Sequence, residues 1–413
     1  MSLSFASEMV DPEEFRRRRE TALRSGNPAW LWPEVSVSEW AEAMSNVSSA
    51  ASAVLAGSAA ELASCEPMAL SLACYTSGLG PLLGWWAEQG LLAVSAQTRE
   101  LLAIHLQQAR DRTTEVEDRS RKVVSAIVES GVPVIVLKGG HTAHAYFPDP
   151  AARPASDLDL LVPADGAKDA EAALSNAGLH CIARNARESS WGTIGSNRKP
   201  RHLWLVGGDD PWSVDLHRSL DFSAGAGARL VNFDSADPFA GGQPWALGQA
   251  AATLRQPLLL LNLAVHASGG LHSLTLLRMV EIILVVRRDV ANQRLAWDEF
   301  MRLGARIHGL GAAYPALSMS EKLAPGTIPS SVLRLSRELA PDRARRVVDK
   351  LEPANVQRID RASIAEHFMW VEGPSSWGRQ LWSDLISSNG SIQSRRSIYQ
   401  ARAYRLLRGA ITP

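Results

Sequence analysis

Cysteine is scarce in this chain. There are three, Cys65, Cys74 and Cys181, an odd number with no CxxC pair. That excludes a disulfide framework and a zinc ribbon, and reads as reduced thiols in a cytoplasmic protein. Excess charge is missing too, since 43 Lys and Arg offset 43 Asp and Glu. A chain with no net positive charge is not built to coat nucleic acid through bulk electrostatics. Long hydrophobic runs are lacking: the longest, 257–265 and 279–286, fall well short of the roughly 20 residues of a bilayer span, and Glu281 interrupts the second. The opening MSLSFASEMVDPEEF has no basic segment followed by an apolar stretch, so no signal peptide is expected. Walker loops, GxSxG, the kinase motif set, internal repeats and low-complexity tracts are also absent.

What is present is an ordinary globular composition, 46% hydrophobic and 21% charged over 413 residues, enough for two or three packed units. Residues 1–36 read as a polar extension in which Arg16 to Arg19, behind Glu13 and Glu14, form a solvated short helix. Residues 37–130 are helical in pattern. LACYTSGLGPLLGWWAEQG gives two helices with a glycine-rich joint, and 95–129 gives one long helix. At Gly131 the pattern changes. VPVIVLKGG is a β-branched run ending at two glycines, a buried strand followed by a tight turn. DLDLLVP alternates with period two, as a strand with one polar and one apolar face does. A helix ending at Gly178 follows, then short strands in HLWLV and WSVDLHR. The expected fold is α+β: a small mixed sheet over 131–238, a helical region over 239–350, and a helical tail over 351–413 with Trp370, Trp377, Trp382 and a basic end.

The residues that carry chemistry lie in the mixed unit. Asp157 and Asp159 point to one face of their strand, about 7 Å apart along it. Beside Leu158, Leu160 and Leu161, two such carboxylates repel each other unless a cation lies between them. Mg²⁺ suits them, because it takes one or two carboxylates and fills its remaining positions from phosphate and water. Upstream, Lys138-Gly139-Gly140 between strand and helix leaves backbone N–H groups free at a helix N-terminus, which is an anion site. Asp215, flanked by Val214 and Leu216, supplies a third carboxylate on another strand, as general base or second metal ligand. Other signals stay open. His141 and His144 have metal-ligand spacing, His217 faces the same side as Asp215, and His266, His272, Arg278 and Glu281 either line a cleft or pack and pair. Trp191 and Trp204 either stack a base or fill the core.

In this order the residues resemble the nucleotidyltransferase superfamily that includes DNA polymerase β and the antibiotic nucleotidyltransferases. More closely, the chain resembles a bacterial family of uncharacterised nucleotidyltransferases, some members of which are associated with lasso-peptide gene clusters. The matching residues are Leu137-Lys138-Gly139-Gly140, Arg153, the run from Ser156 through Asp157 and Asp159 to Val162, and Val214-Asp215-Leu216-His217; the likeness runs from about residue 65 to 330. It implies transfer of a nucleoside monophosphate from an NTP, ATP among them, to an acceptor, with release of pyrophosphate. Asp157, Asp159 and Asp215 would be the catalytic and metal-binding set, with Mg²⁺ or Mn²⁺. Lys138, Gly139, Gly140, Arg153 and Ser156 would hold the nucleotide. The acceptor is left open among peptide, protein, small molecule and RNA. Two other readings share the fold, an inactive nucleotide- or peptide-binding module and a toxin-like enzyme acting on tRNA. One departure stands out: Gly140 occupies a position where the superfamily often has serine, so a phosphate-binding hydroxyl is gone and more falls to Lys138.

Overall fold

The computed structural model describes residues 12–25, 27–155, 157–193, 212–224, 229–271, 274–358, 366, 368–373 and 378. Helix α1 (Pro12–Ser25) carries the arginine run, and Arg18 bonds Glu14 and Glu34. Helix α2 (Val37–Leu55) starts at a Ser36–Glu39 capping box, which satisfies two otherwise free N–H groups. Helix α3 (Pro67–Ser77) stops at Gly78, whose φ of 74° is left-handed, and α4 (Gly80–Glu88) follows at once. Helix α5 (Ala96–Glu129) is capped by Ser95 and runs unbroken for 34 residues. Helices α2 to α5 thus form a helical region ahead of the sheet.

The sheet is built from β1 (Ile135–Val136), β2 (Asp157–Leu161), β3 (His180–Arg184), β4 (Glu188–Gly192), β5 (Ser213–His217), and, after a separate hairpin of β6 (Phe222–Ala224) and β7 (Arg229–Val231), from β8 (Gln243–Trp245) and β9 (Gly248–Thr253). Its order is β3-β4-β5-β2-β1-β9-β8. Strands β2 and β5 are parallel, as are β1 and β9; the other neighbours are antiparallel. The sheet thus continues past residue 238, where only helices were expected, and β8 and β9 close one end of it. HLWLV (202–206) lies outside the described residues, as do His272, Trp204, Trp377, Trp382 and the basic end.

Helix α6 (Lys138–Tyr146) connects β1 to β2, and α7 (Ala167–Asn176) connects β2 to β3. After the sheet come α8 (Leu258–Ser268), α9 (Leu276–Ala291), α10 (Trp297–Arg306), α11 (Leu310–Leu323), α12 (Ser330–Leu339) and α13 (Asp342–Val348). Side-chain alternation splits the core in two. Val136, Leu158, Leu160, Val214 and Leu216 pack with Val123, Ile127 and Leu174 of α5 and α7. Ile135, Leu137 and Leu161 join the larger core, which holds α8, α9 and α11. Asp157, Asp159 and Asp215 alternate with the first set, so they lie on the sheet face turned to the C-terminal helices. Trp191 packs in the first core and is not free to stack a ligand. Among the described residues no helix is long and apolar enough to cross a membrane. All three cysteines are free thiols.

Candidate active site

Strand pairing brings the carboxylates together. In the parallel β2–β5 ladder Asp159 stands opposite Asp215 and Asp157 opposite Ser213, so all three share one face. Asp159 is 6% exposed, whereas Asp157 and Asp215 are half-buried. The face is therefore polar, as the alternation implied, but it is enclosed. Asp159 is well served: the Lys138 ammonium donates to its Oδ1 at 2.7 Å and His217 Nε2 lies 2.9 Å from the same oxygen. On its other nitrogen, His217 Nδ1 sits 3.2 Å from Glu188 Oε2. Burial works against the Asp159 charge, but Lys138 and His217 outweigh it and hold its carboxyl well below the usual range. Asp157 goes the other way. Burial, and then repulsion by Asp159 and Asp215, push it up despite the Lys138 and Arg153 cations. The face thus carries more negative charge than its own cations neutralise at Asp157.

The turn differs from expectation. The two glycines do not precede the helix; α6 already begins at Lys138, and the left-handed residue is Lys138 itself, with φ 42°. A non-glycine residue pays about 1–3 kcal/mol for that region, and what the conformation accompanies here is the Lys138–Asp159 contact. Leu137 caps the helix without a side-chain bond, as an open anion-facing terminus would be. Gly140 is explained by packing. A Cβ there would sit 2.9 Å from both Leu158 Cδ1 and Val136 Cγ1, so a serine would collide with the sheet. Its carbonyl also accepts from Trp245 Nε1 at 2.7 Å.

Arg153 has a different partner from any expected. It does not pair with Asp149, which binds Arg110. Instead its Nε and Nη2 grip Glu281 of α9 at 2.8 and 3.1 Å, with the Thr142 hydroxyl donating to the same carboxylate. Burial opposes the Glu281 charge, but Arg153 wins and lowers its carboxyl below the ordinary value. Arg153 also presses on Gly139, where a Cβ would meet its Nη1 at 2.1 Å. Its observed work is to tie α9 to the first turn of α6. The Arg153–Glu281 pairing was missed in the sequence; its signal was one acid inside the apolar run of α9. Ser156 lies outside the described residues.

Among the described residues no group of three or more His, Cys, Asp or Glu side chains stands arranged to hold a metal ion by itself. His141 and His144 gain no third ligand; His144 lies 3.7 Å from Glu117. The donor chemistry still fits Mg²⁺ or Mn²⁺. Asp157 and Asp159 are hard oxygen donors on one face, Asp157 is destabilised as an anion by its neighbours, and such ions need only one or two protein carboxylates when phosphates complete the shell.

Comparison with known proteins adds one finding. A family described as uncharacterised nucleotidyltransferase matches residues 74–325, more than half of the chain. No curated protein matches the chain, and no solved structure does.

Proposed function

The chain belongs to that uncharacterised nucleotidyltransferase family, and from this premise we propose that it moves a nucleoside monophosphate from an NTP to an acceptor at the Asp157–Asp159–Asp215 face. It is a transferase, and nucleotidyl transfer is its general chemistry. The observation that carries the finer reading is the ladder register, which sets Asp159 beside Asp215 on the face that also holds Asp157. An oxygen of the acceptor bonds to the α-phosphorus, the α–β bridging bond breaks, and pyrophosphate leaves with that electron pair. Asp215, half-buried and opposite Asp159 in the ladder, takes the acceptor proton. Asp157 and Asp159 would hold Mg²⁺ or Mn²⁺, which supplies charge neutralisation for the phosphates when bound. Lys138 and the open N-terminus of α6 orient the triphosphate. Arg153 and Glu281 act as positioning residues for that terminus.

The test is transfer of α-labelled ATP, GTP, CTP or UTP to acceptors in a lysate, with Mg²⁺ or Mn²⁺, by wild type, Asp157→Ala and Asp159→Ala. Label on an acceptor with wild type and none with either variant is expected. Label that survives in both variants would overturn the site. Binding of an NTP without transfer in any lysate would leave a nucleotide-binding module in place of the enzyme.

A further inference from the structure

One cavity reaches Asp157 and a second reaches Lys138 and His217, the partners of Asp159; their linings share no residue. One, of about 60 Å³, is a narrow crevice between α5 and α6 that reaches Gly139, Arg153 and Asp157. The other, of about 510 Å³, is lined by Lys138, His217, Phe222, Phe233, Asn262 and His266 among others. The larger is of ligand-pocket size, whereas the crevice is too small for a nucleoside.

Helix α8 forms one wall of the larger chamber. Its sequence, LLLLNLAVHAS, is apolar almost throughout, and ten of its eleven residues are buried. Asn262 stands in the middle, 6% exposed, and its Oδ1 has no hydrogen-bond partner among the described residues. A buried amide oxygen in that state is costly, and nothing in the packing of an all-leucine stretch calls for it. His266 lies one turn later on the same face. Its Nδ1 is 2.7 Å from Arg278 Nη1. A guanidinium only donates, so Nδ1 is the acceptor and the ring proton sits on Nε2. Burial, and the nearby Lys138 and Arg278 cations, keep the ring neutral. The helix therefore lines the chamber with the Asn262 amide, whose buried oxygen lacks a partner among the described residues, and with a donor at 266. Phe222 supplies an aromatic surface, its ring 6.3 Å from that of His266. At the inner end stand Lys138 and His217, both bonded to Asp159.

A planar group with apolar faces, a donor–acceptor edge and an attached phosphate chain matches these walls. We infer that the chamber is the nucleobase subsite, in which Asn262 and His266 read the polar edge of the NTP base while its phosphates extend past Lys138 to the carboxylates. This rests on nucleotidyl transfer at that site and adds base selection to it.

The test uses the full chain, as wild type and as Asn262→Leu, with calorimetric titration of ATP, GTP, CTP, UTP and inorganic tripolyphosphate in Mg²⁺. Wild type is expected to favour at least one base by about tenfold over the least favoured, the worth of one buried hydrogen bond. Asn262→Leu should flatten that preference to within about threefold, leave tripolyphosphate affinity unchanged, and keep or raise Tm, since an unsatisfied group has been removed. Four equal NTP affinities in wild type, with tripolyphosphate binding intact, overturn base reading alone. A preference that persists in Asn262→Leu while Tm falls overturns it by making Asn262 structural. Unchanged NTP affinities in the variant, with a change confined to the transfer step, overturn it by assigning the chamber to the acceptor. Failure of every NTP and of tripolyphosphate to bind removes the transfer reading itself, and this inference with it.

Discussion

Replacing Gly139 with alanine sets two effects of opposite sign against each other. Gly139 has no positive φ, so alanine suits its backbone, and glycine-to-alanine in a helix stabilises by about 0.5–1 kcal/mol. Against this, the new Cβ would lie 2.1 Å from Arg153 Nη1 and 2.7 Å from its Cζ, where ordinary contact begins near 3.4 Å. The guanidinium would have to retreat by more than an ångström. It is not a flexible tip free to do so, because two of its nitrogens hold Glu281 at 2.8 and 3.1 Å. Breaking such a buried pair outright costs about 3–5 kcal/mol, and crowding a packed core about 1–3 kcal/mol. The steric effect wins, and Gly139→Ala should destabilise by about 2 kcal/mol or more. Urea unfolding followed by circular dichroism reads this. The decisive background is Arg153→Met with Glu281→Met, which removes the obstacle. There the same alanine should stabilise by up to about 1 kcal/mol. Equal effects in the two backgrounds, or stabilisation of wild type, would refute the reasoning.

The neighbouring carboxylates should respond in opposite directions. Asp157 has a raised pKa, so its charge costs stability at neutral pH; Asp159 has a lowered one, so its charge adds stability that is lost as pH falls through the folded-state value. At pH 7 in EDTA, differential scanning fluorimetry should therefore show Asp157→Asn raising Tm and Asp159→Asn lowering it, with transfer lost in both; shifts of the same sign would contradict the assignment. His105 is buried, and burial lowers its pKa to about 3. The unfolded chain takes up that proton below its ordinary value of 6.5, so stability is complete above that pH and declines on acidification toward 3. Replacing His105 with Met should reduce the acid slope of stability by about 1.4 kcal/mol per pH unit, and an unchanged slope would count against it.

Much of this fold could be read from pattern because its elements obey local rules. Ser95, Gly78 and Gly178 mark helix ends through their own chemistry, and Asp157, Asp159 and Asp215 reveal their strands by alternating with buried leucines and valine. The elements that escaped lack such marks. Strand β3 is exposed along its whole length, so no apolar face alternates in it. Strand β9, GQAAAT, is small and weakly hydrophobic, and takes its place through backbone pairing with β1. Helix α11 falls in the region read as helical, although Pro315 inside it argues locally against a helix that tertiary packing then imposes. For the site, the carboxylates were legible, whereas the Arg153–Glu281 pair joins residues 128 apart in sequence, a distance over which no spacing rule operates. Its trace, like that of Asn262, was a polar residue interrupting an apolar run.

Strand β1 has a consequence for how the chain is made. It is two residues long, with β2 on one side and β9 on the other, and Ile135 pairs with Ala252. On a ribosome adding about 5–20 residues per second, the partner for that open edge follows roughly 6 to 23 seconds later. Throughout this interval the nascent sheet has its carboxylate pair in sequence but an unpaired apolar border, the kind of edge that recruits other chains. Helices α2 to α5 are synthesised before it and are the neighbours already at hand. Birth order thus leaves that edge without its native partner during one defined window, which shuts when residue 253 emerges.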